Sequence, residues 1–217
     1  INNLTKDKRI DYYTNIISYL DYRNDKDEIL VLLNDCWDIV RSIDDLKHIT
    51  SQLVDVSLNF TNLGEFEKAK IIINKIDDKL HTDSFAKAQS IYEMGLIILE
   101  KFDQRELAID FLKESFALAL KTKHLQDERF NLYSKIICKL LDLQENKLAY
   151  KLAISGSTKV PDMSDNDLQF LKVSHIPNEL FYDDCYYAYF RIAFKFIDCN
   201  KEEDAFKIID SIKNQQK

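Results

Sequence analysis

Residues 53–76 read LVDVSLNFTNLGEFEKAKIIINKI and predict two amphipathic helices joined by a tight turn. Apolar side chains recur every three or four residues on both sides of a break at Asn62, Leu63 and Gly64, which is the spacing of one helical face. Gly64 suits the left-handed conformation that ends a helix, and the small Ala69 permits close packing of the second helix on the first. This stretch is therefore predicted to be a helical hairpin.

The same hairpin pattern recurs along the whole chain. The predicted turn residues are Asn24, Gly64, Asp103, Gln144 and Asn200. Five positions after them lie Ile29, Ala69, Ala108, Ala149 and Ala205, at intervals of 40, 39, 41 and 56 residues. Three near-equal intervals predict an all-α protein, specifically an α-solenoid of about five antiparallel helix-turn-helix repeats with one insertion.

Composition favours the same fold and excludes some classes of function. Three glycines and two prolines in 217 residues leave few sharp turns, so long helices are expected. A net charge of −7 without any basic run argues against direct nucleic-acid contact. No apolar run reaches the roughly 18 residues that span a bilayer, so a soluble, cytoplasmic protein is expected.

Two of the hairpins carry the residue pattern of a known family. The last hairpin has Tyr189, Ile192, Ala193, Phe196 and Ala205 at the offsets where that pattern asks for an aromatic residue, Leu, Gly or Ala, Tyr and Ala. The second hairpin matches through Leu53, Val56, Ser57, Phe60, Gly64, Phe66 and Ala69. On these residues the chain resembles a tetratricopeptide-repeat protein with lengthened helices. It departs from the family in its period, which is usually about 34 residues, and in lacking the closing proline of each repeat.

The resemblance implies a concave groove, lined by the first helix of each hairpin, that binds a peptide or protein segment. The contact positions it implies are Asp11, Thr14 and Ser18, then Ser51, Val54 and Leu58, then Gln89, Tyr92 and Leu96, then Asn131, Ser134 and Cys138, and finally Tyr187, Phe190 and Phe194. None is lysine, which disfavours the clamping of a terminal carboxylate that some family members perform. The expected function is that of a non-enzymatic scaffold or adaptor.

The longest interval between hairpins marks an insertion. It contains Gly156, Pro161 and Pro177, and the predicted division is four repeats in 1–155, a connector in 156–180 and a last repeat in 181–217. Asp165 is a candidate cap for a short helix within the connector.

The helix expected around residues 181–197 has an unusually wide apolar arc. Its inner face is predicted to contain Tyr182, Tyr186, Tyr189, Ala193 and Phe196. A second face with Tyr187, Phe190 and Phe194 requires a cover, for which the sequence offers the insertion through Phe170 and Leu171, a partner segment, or a second copy in a homodimer.

No pattern of catalytic, cofactor-binding or metal-binding residues is found. His48, His81, His124 and His175 lack a second ligand at metal-site spacing, and no phosphate loop or nucleophile motif occurs. The four cysteines form no C-x-x-C pair and are expected to be buried or half-buried reduced thiols.

Two alternative functions remain open from the sequence. Peptide-sensing bacterial transcription regulators have a similar layout, with a DNA-binding domain upstream, and the start at Ile1 suggests that an upstream segment is missing. The other alternative is an effector or enzyme with a site in residues 156–180.

Overall fold

The computed structural model describes residues 4–43, 49–77, 81–122, 126–157 and 185–213, excepting the side chains of residues 81, 82, 126, 127, 185–187, 212 and 213. Within these ranges the chain forms helices and no strands, as the all-α prediction requires. The helices are α1 (Lys6–Ile17), α2 (Lys26–Arg41), α3 (Thr50–Asn62), α4 (Phe66–Ile73), α5 (His81–Phe102), α6 (Arg105–Lys121), α7 (Gln126–Asp142), α8 (Asn146–Ser157), α9 (Cys185–Asp198) and α10 (Glu202–Lys213).

Four of the five predicted turn residues adopt the left-handed conformation. Gly64 has a φ of 83°, and Asp103, Gln144 and Asn200 have φ values of 53°, 60° and 56°. Three of these turns also share one pattern of backbone hydrogen bonds, in which the residue after the turn residue donates to the carbonyl five positions earlier. The pairs are Glu65 to Phe60, Glu145 to Leu140, and Lys201 to Phe196. Each of these turns satisfies carbonyls that the helix end would otherwise leave free.

The first hairpin turns differently. Helix α1 ends at Ile17, seven residues before the predicted turn residue Asn24, and Asn24 does not adopt a positive φ. The carbonyl of Asp21 instead accepts the N–H groups of Asn24 and Asp25 at 3.0 and 2.8 Å. The Asp25 carboxylate accepts the N–H of Asp21 at 2.9 Å in return. Local carboxylate hydrogen bonds therefore replace the left-handed residue here.

The positions five residues after the turns lie in the first turn of each second helix. Ile29, Ala69, Ala108, Ala149 and Ala205 are all fully buried. A Cβ added at Gly95 of α5 would lie 3.3 Å from the carbonyl oxygen of Ala108, so α5 and α6 approach closely at two small residues. The spacing predicted this close packing correctly.

The chain divides into two compact units, one of residues 1–118 and one of residues 119–217, with the boundary inside α6. In the first unit α3 packs against α1, α2, α4 and α5. In the second, α7 packs against α8 and α9, while α10 packs against α8 and α9. Within each unit, first helices of successive hairpins are neighbours, which is consistent with a helical-repeat arrangement. The fourth and fifth hairpins share a unit. The structure describes only Gly156 and Ser157 of the predicted insertion 156–180, and both are buried at the end of α8.

Candidate binding surfaces on the first helices

The predicted contact positions of the first unit, here called the unit-1 surface, lie on three adjacent helices. Ser18, Ser51 and Gln89 are exposed, and Asp11, Thr14, Val54, Leu58, Tyr92 and Leu96 are half-buried. Because α3 packs against both α1 and α5, the three triplets occupy neighbouring helices. All of these positions therefore retain some access to solvent. The aliphatic side chains of the unit-1 surface are those of Val54, Leu58 and Leu96.

Two hydroxyl groups of the unit-1 surface donate to nearby backbone carbonyls. Thr14 Oγ1 donates to the carbonyls of Ile10 and Asp11, both at 3.1 Å. Ser18 Oγ donates to the carbonyl of Asn15 at 2.7 Å. Since each hydroxyl has one proton, these groups offer acceptor rather than donor capacity to a partner.

Carboxylates border the unit-1 surface at positions that sequence reasoning missed. Asp55 lies on α3, and its pKa is raised by desolvation and, to a smaller extent, by the negative charge of Asp11. On α5, Gln89 Nε2 donates to Glu93 Oε1 at 3.1 Å. The sequence could have revealed both carboxylates. Asp55 lies one helical turn after the predicted contact Ser51, and Glu93 lies one turn after the predicted contact Gln89. The unit-1 surface is therefore acidic.

A polar network connects the first three hairpins at the end nearest their turns. Tyr22, in the turn after α1, donates its hydroxyl to Asn59 Oδ1 and also hydrogen-bonds to Asn62. Lys101, at the end of α5, donates to Asn62 Oδ1 at 2.5 Å and lies 5.1 Å from the centre of the Tyr22 ring. Desolvation raises the pKa of Tyr22 to about 12, although the Asn62 hydrogen bond lowers it. Sequence reasoning missed this network because its residues are far apart in the chain.

The predicted contact positions of the second unit, the unit-2 surface, are less uniform. Asn131 is exposed, Cys138 and Phe190 are half-buried, and Phe194 is 58% exposed. Ser134 is fully buried and donates to the carbonyl of Asn131 at 3.0 Å, so this predicted contact is not accessible to a partner. It faces inward because α9 packs against α7. The side chain of Tyr187 lies outside the described residues.

Two cations of α9, whose partners could not be predicted from the sequence, lie between α7 and α9. Arg191 hydrogen-bonds to the Cys138 thiol, and desolvation still raises the pKa of that thiol against the opposing effect of Arg191. Lys195 pairs with Asp142 at 2.6 Å, and this hydrogen bond raises the pKa of Lys195. Arg191 occupies the same place relative to its turn as Asp55 does in the second hairpin. The charged residue at this position of the first helix is thus acidic in α3 and basic in α9.

Aromatic residues fill the core of the second unit, as their helical spacing predicts. Phe130 packs edge-on against Tyr133 and Tyr189, with ring centres 5.4 and 5.9 Å apart. The buried guanidinium of Arg129 lies 4.7 Å from the centre of the Phe130 ring, and its Nη1 donates to the carbonyl of Thr122 at 2.7 Å. This cluster joins α7 to α9 and is part of the packing rather than a surface.

Among the residues that the structure describes, no group of three or more His, Cys, Asp or Glu could hold a metal ion. The side chains of all four histidines lie outside that part. Cys36 is buried, Cys138 and Cys199 are half-buried and all three are free thiols, as predicted, while the side chain of Cys185 is not described.

The arrangement can therefore contact another molecule mainly through half-buried apolar side chains bordered by charge. No helix in the described ranges has the length and apolar character needed to cross a bilayer. No family model matches the chain. No curated protein and no solved structure matches it either.

Proposed function

We propose that this chain is a non-enzymatic helical-repeat protein, similar to tetratricopeptide-repeat proteins, that binds a peptide or protein segment as a scaffold or adaptor. One observation carries the proposal. Of the fourteen predicted contact positions whose side chains are described, thirteen retain access to solvent, although they alternate with fully buried residues on the same helices. Within one unit, a row of accessible apolar and polar side chains over a helical core is the usual form of a segment-binding surface.

The charges of the unit-1 surface favour one kind of segment. Asp11 and Asp55 are close enough for the charge of one to affect the pKa of the other, and Glu93 adds a third carboxylate. A free carboxylate terminus would be repelled there, whereas lysine or arginine side chains would be attracted. Val54, Leu58 and Leu96 supply apolar contacts. The expected ligand is a segment with apolar anchors and basic side chains.

Affinity purification with matched surface variants tests this function. The bait is the whole chain, the groove variant carries Leu58→Ser and Leu96→Ser, and the control carries Val31→Ser and Ile71→Ser. The control positions are exposed apolar residues on α2 and α4, the second helices of their hairpins. A protein retained from a lysate of the source organism is purified, and its dissociation constant is measured with all three forms.

The groove variant should weaken binding by about tenfold or more, since losing central apolar contacts typically costs more than about 1.4 kcal/mol. The control should bind like the unmodified chain. Equal binding by all three folded forms would contradict the groove assignment, and melting curves establish that the variants fold.

A further inference from the structure

The fifth hairpin has an exposed apolar face that the unit-2 packing does not use. Phe194, Ile197 and Phe206 are 58%, 37% and 61% exposed, and Phe190 is half-buried. These four residues are here called the outer face.

Helical geometry places the outer face away from the fourth hairpin. Lys195, which pairs with Asp142 of α7, is separated from Phe190 by five residues, or about 140° around α9. On α10, Ser211 hydrogen-bonds to Ser157 of α8 at 2.9 Å and is separated from Phe206 by the same angle. Of the described helices, α9 packs against α7, α8 and α10. The outer face therefore points away from α7 and α8.

The repeat register identifies what such a face accepts. Residues of two hairpins correspond when they lie the same number of positions from their turn residues, Gln144 in the fourth hairpin and Asn200 in the fifth. By this count, the outer face of the fifth hairpin corresponds to a face of the fourth. The corresponding residues of the fourth hairpin are Ser134, Cys138, Leu141 and Tyr150. The fifth hairpin covers that face, because Arg191 hydrogen-bonds to Cys138 and the Phe196 ring lies 6.4 Å from the Tyr150 ring. The face that binds a helical hairpin in one repeat is thus present in the next, with Phe190 and Phe194 in place of Ser134 and Cys138.

Charge restricts the occupant further. Asp142, two residues before its turn residue, pairs with Lys195, and exposed Asp198 occupies the same place before Asn200. A helix that docks on the outer face in the way α9 docks on α7 would therefore place a cation opposite Asp198. The first hairpin of a second copy would present Tyr19, five residues before Asn24, where the cation is needed. Docking of this hairpin of a second copy is accordingly not complementary at Asp198.

We propose that the outer face binds an amphipathic α-helix of a partner protein that carries a lysine or arginine opposite Asp198. This inference rests on the proposed function, that the chain binds a protein segment. It takes Phe190 and Phe194 of the unit-2 surface together with Ile197 and Phe206, and assigns a partner chemistry to them.

The probe is a displayed library of 20-residue amphipathic helical peptides. One position at the edge of the apolar face of the peptide is varied between Lys and Glu. Peptides selected on the whole chain should carry Lys at the varied position. The double variant Phe194→Ser, Phe206→Ser should weaken their binding by tenfold or more. Asp198→Lys should reverse the preference to Glu. The Leu58→Ser, Leu96→Ser variant should still bind, which separates the outer face from the unit-1 surface.

Other results would overturn the proposal. Selected peptides that depend on Leu58 and Leu96 but not on Phe194 would support the unit-1 surface alone, and an absence of bound peptides would exclude the outer face. A dimer in light scattering that Phe194→Ser dissociates would assign the face to a second copy. Slow alkylation of a Phe194→Cys thiol in the isolated protein would mean that the chain covers its own face.

Discussion

A Cβ atom added to Gly64 would lie 3.1 Å from Cε1 of Phe102, so the turn of the second hairpin packs directly on the end of α5. The same ring packs edge-on against Phe66 at 5.1 Å between centres. One left-handed glycine therefore ends α3 and also contacts the first helix of the next hairpin. The turn and the contact between repeats depend on each other here.

Gly64→Ala should destabilise the protein by about 1–2 kcal/mol, because an L side chain at a φ of 83° is strained and its Cβ crowds Phe102. The reverse change at Gln144, which has a φ of 60°, removes strain, so Gln144→Gly should stabilise by up to about 1 kcal/mol. Urea unfolding measures both. Shifts of the same sign in the two variants would contradict the left-handed turns.

Ala108→Leu should lower the free energy of unfolding by about 1–3 kcal/mol, since Ala108 is fully buried against α5. Ala117→Leu is the matched control on the same helix, because Ala117 is exposed. It should change stability by less than about 0.5 kcal/mol. A similar loss in both variants would show that α6 does not bury the predicted face.

Asp55→Asn should stabilise the first unit at neutral pH but not in acid. The pKa of Asp55 is raised from 3.8, so the folded state binds this proton more tightly than the unfolded chain does. Stability therefore falls as pH rises from 3.8 through the raised pKa, and the penalty is complete above it. The variant lacks this penalty, so its advantage should vanish below pH 3.8. The control is Asp35→Asn, at an exposed position on α2, which corrects for the change in net charge. A stability advantage of Asp55→Asn that is unchanged in acid would contradict the raised pKa.

Cys36 should react with iodoacetamide at pH 8 at least about 100-fold more slowly in the native protein than after unfolding. Its side chain is fully buried, and desolvation raises its pKa to about 12, which nearly abolishes the thiolate. Mass spectrometry of the labelled peptides gives the rate at each cysteine. After unfolding, four thiols should be counted with and without reductant. A native Cys36 that reacts as fast as Cys199 would contradict the assigned core.

The sequence was sufficient to predict the helical class, four of the turn residues and the buried small residues. These features depend on local spacing and on the backbone conformation that ends a helix. Gln144 is informative, since glutamine by itself does not signal a left-handed turn, whereas the aspartate at Asp103 is of a type enriched in that conformation. The repeat interval located them.

Side-chain pairing between hairpins could not be predicted in the same way. The burial of Ser134 and the pairing of Lys195 with Asp142 depend on how closely α9 approaches α7. The end of α1 at Ile17 depends on competing hydrogen bonds from Asp21 and Asp25. The predicted connector 156–180 and the side chain of Tyr187 lie almost entirely outside the described residues.

Both binding proposals rest on one register, which the repeated left-handed turn sets. Nuclear magnetic resonance of the intact protein tests it most directly, through three-bond HN–Hα couplings and cross-correlated relaxation that together give the sign of φ. At Asp103, Gln144 and Asn200 the account predicts φ values near 53°, 60° and 56°. Values near −60°, those of a continuing helix, at two of these residues would mean that the hairpins do not share a turn, and would contradict the register.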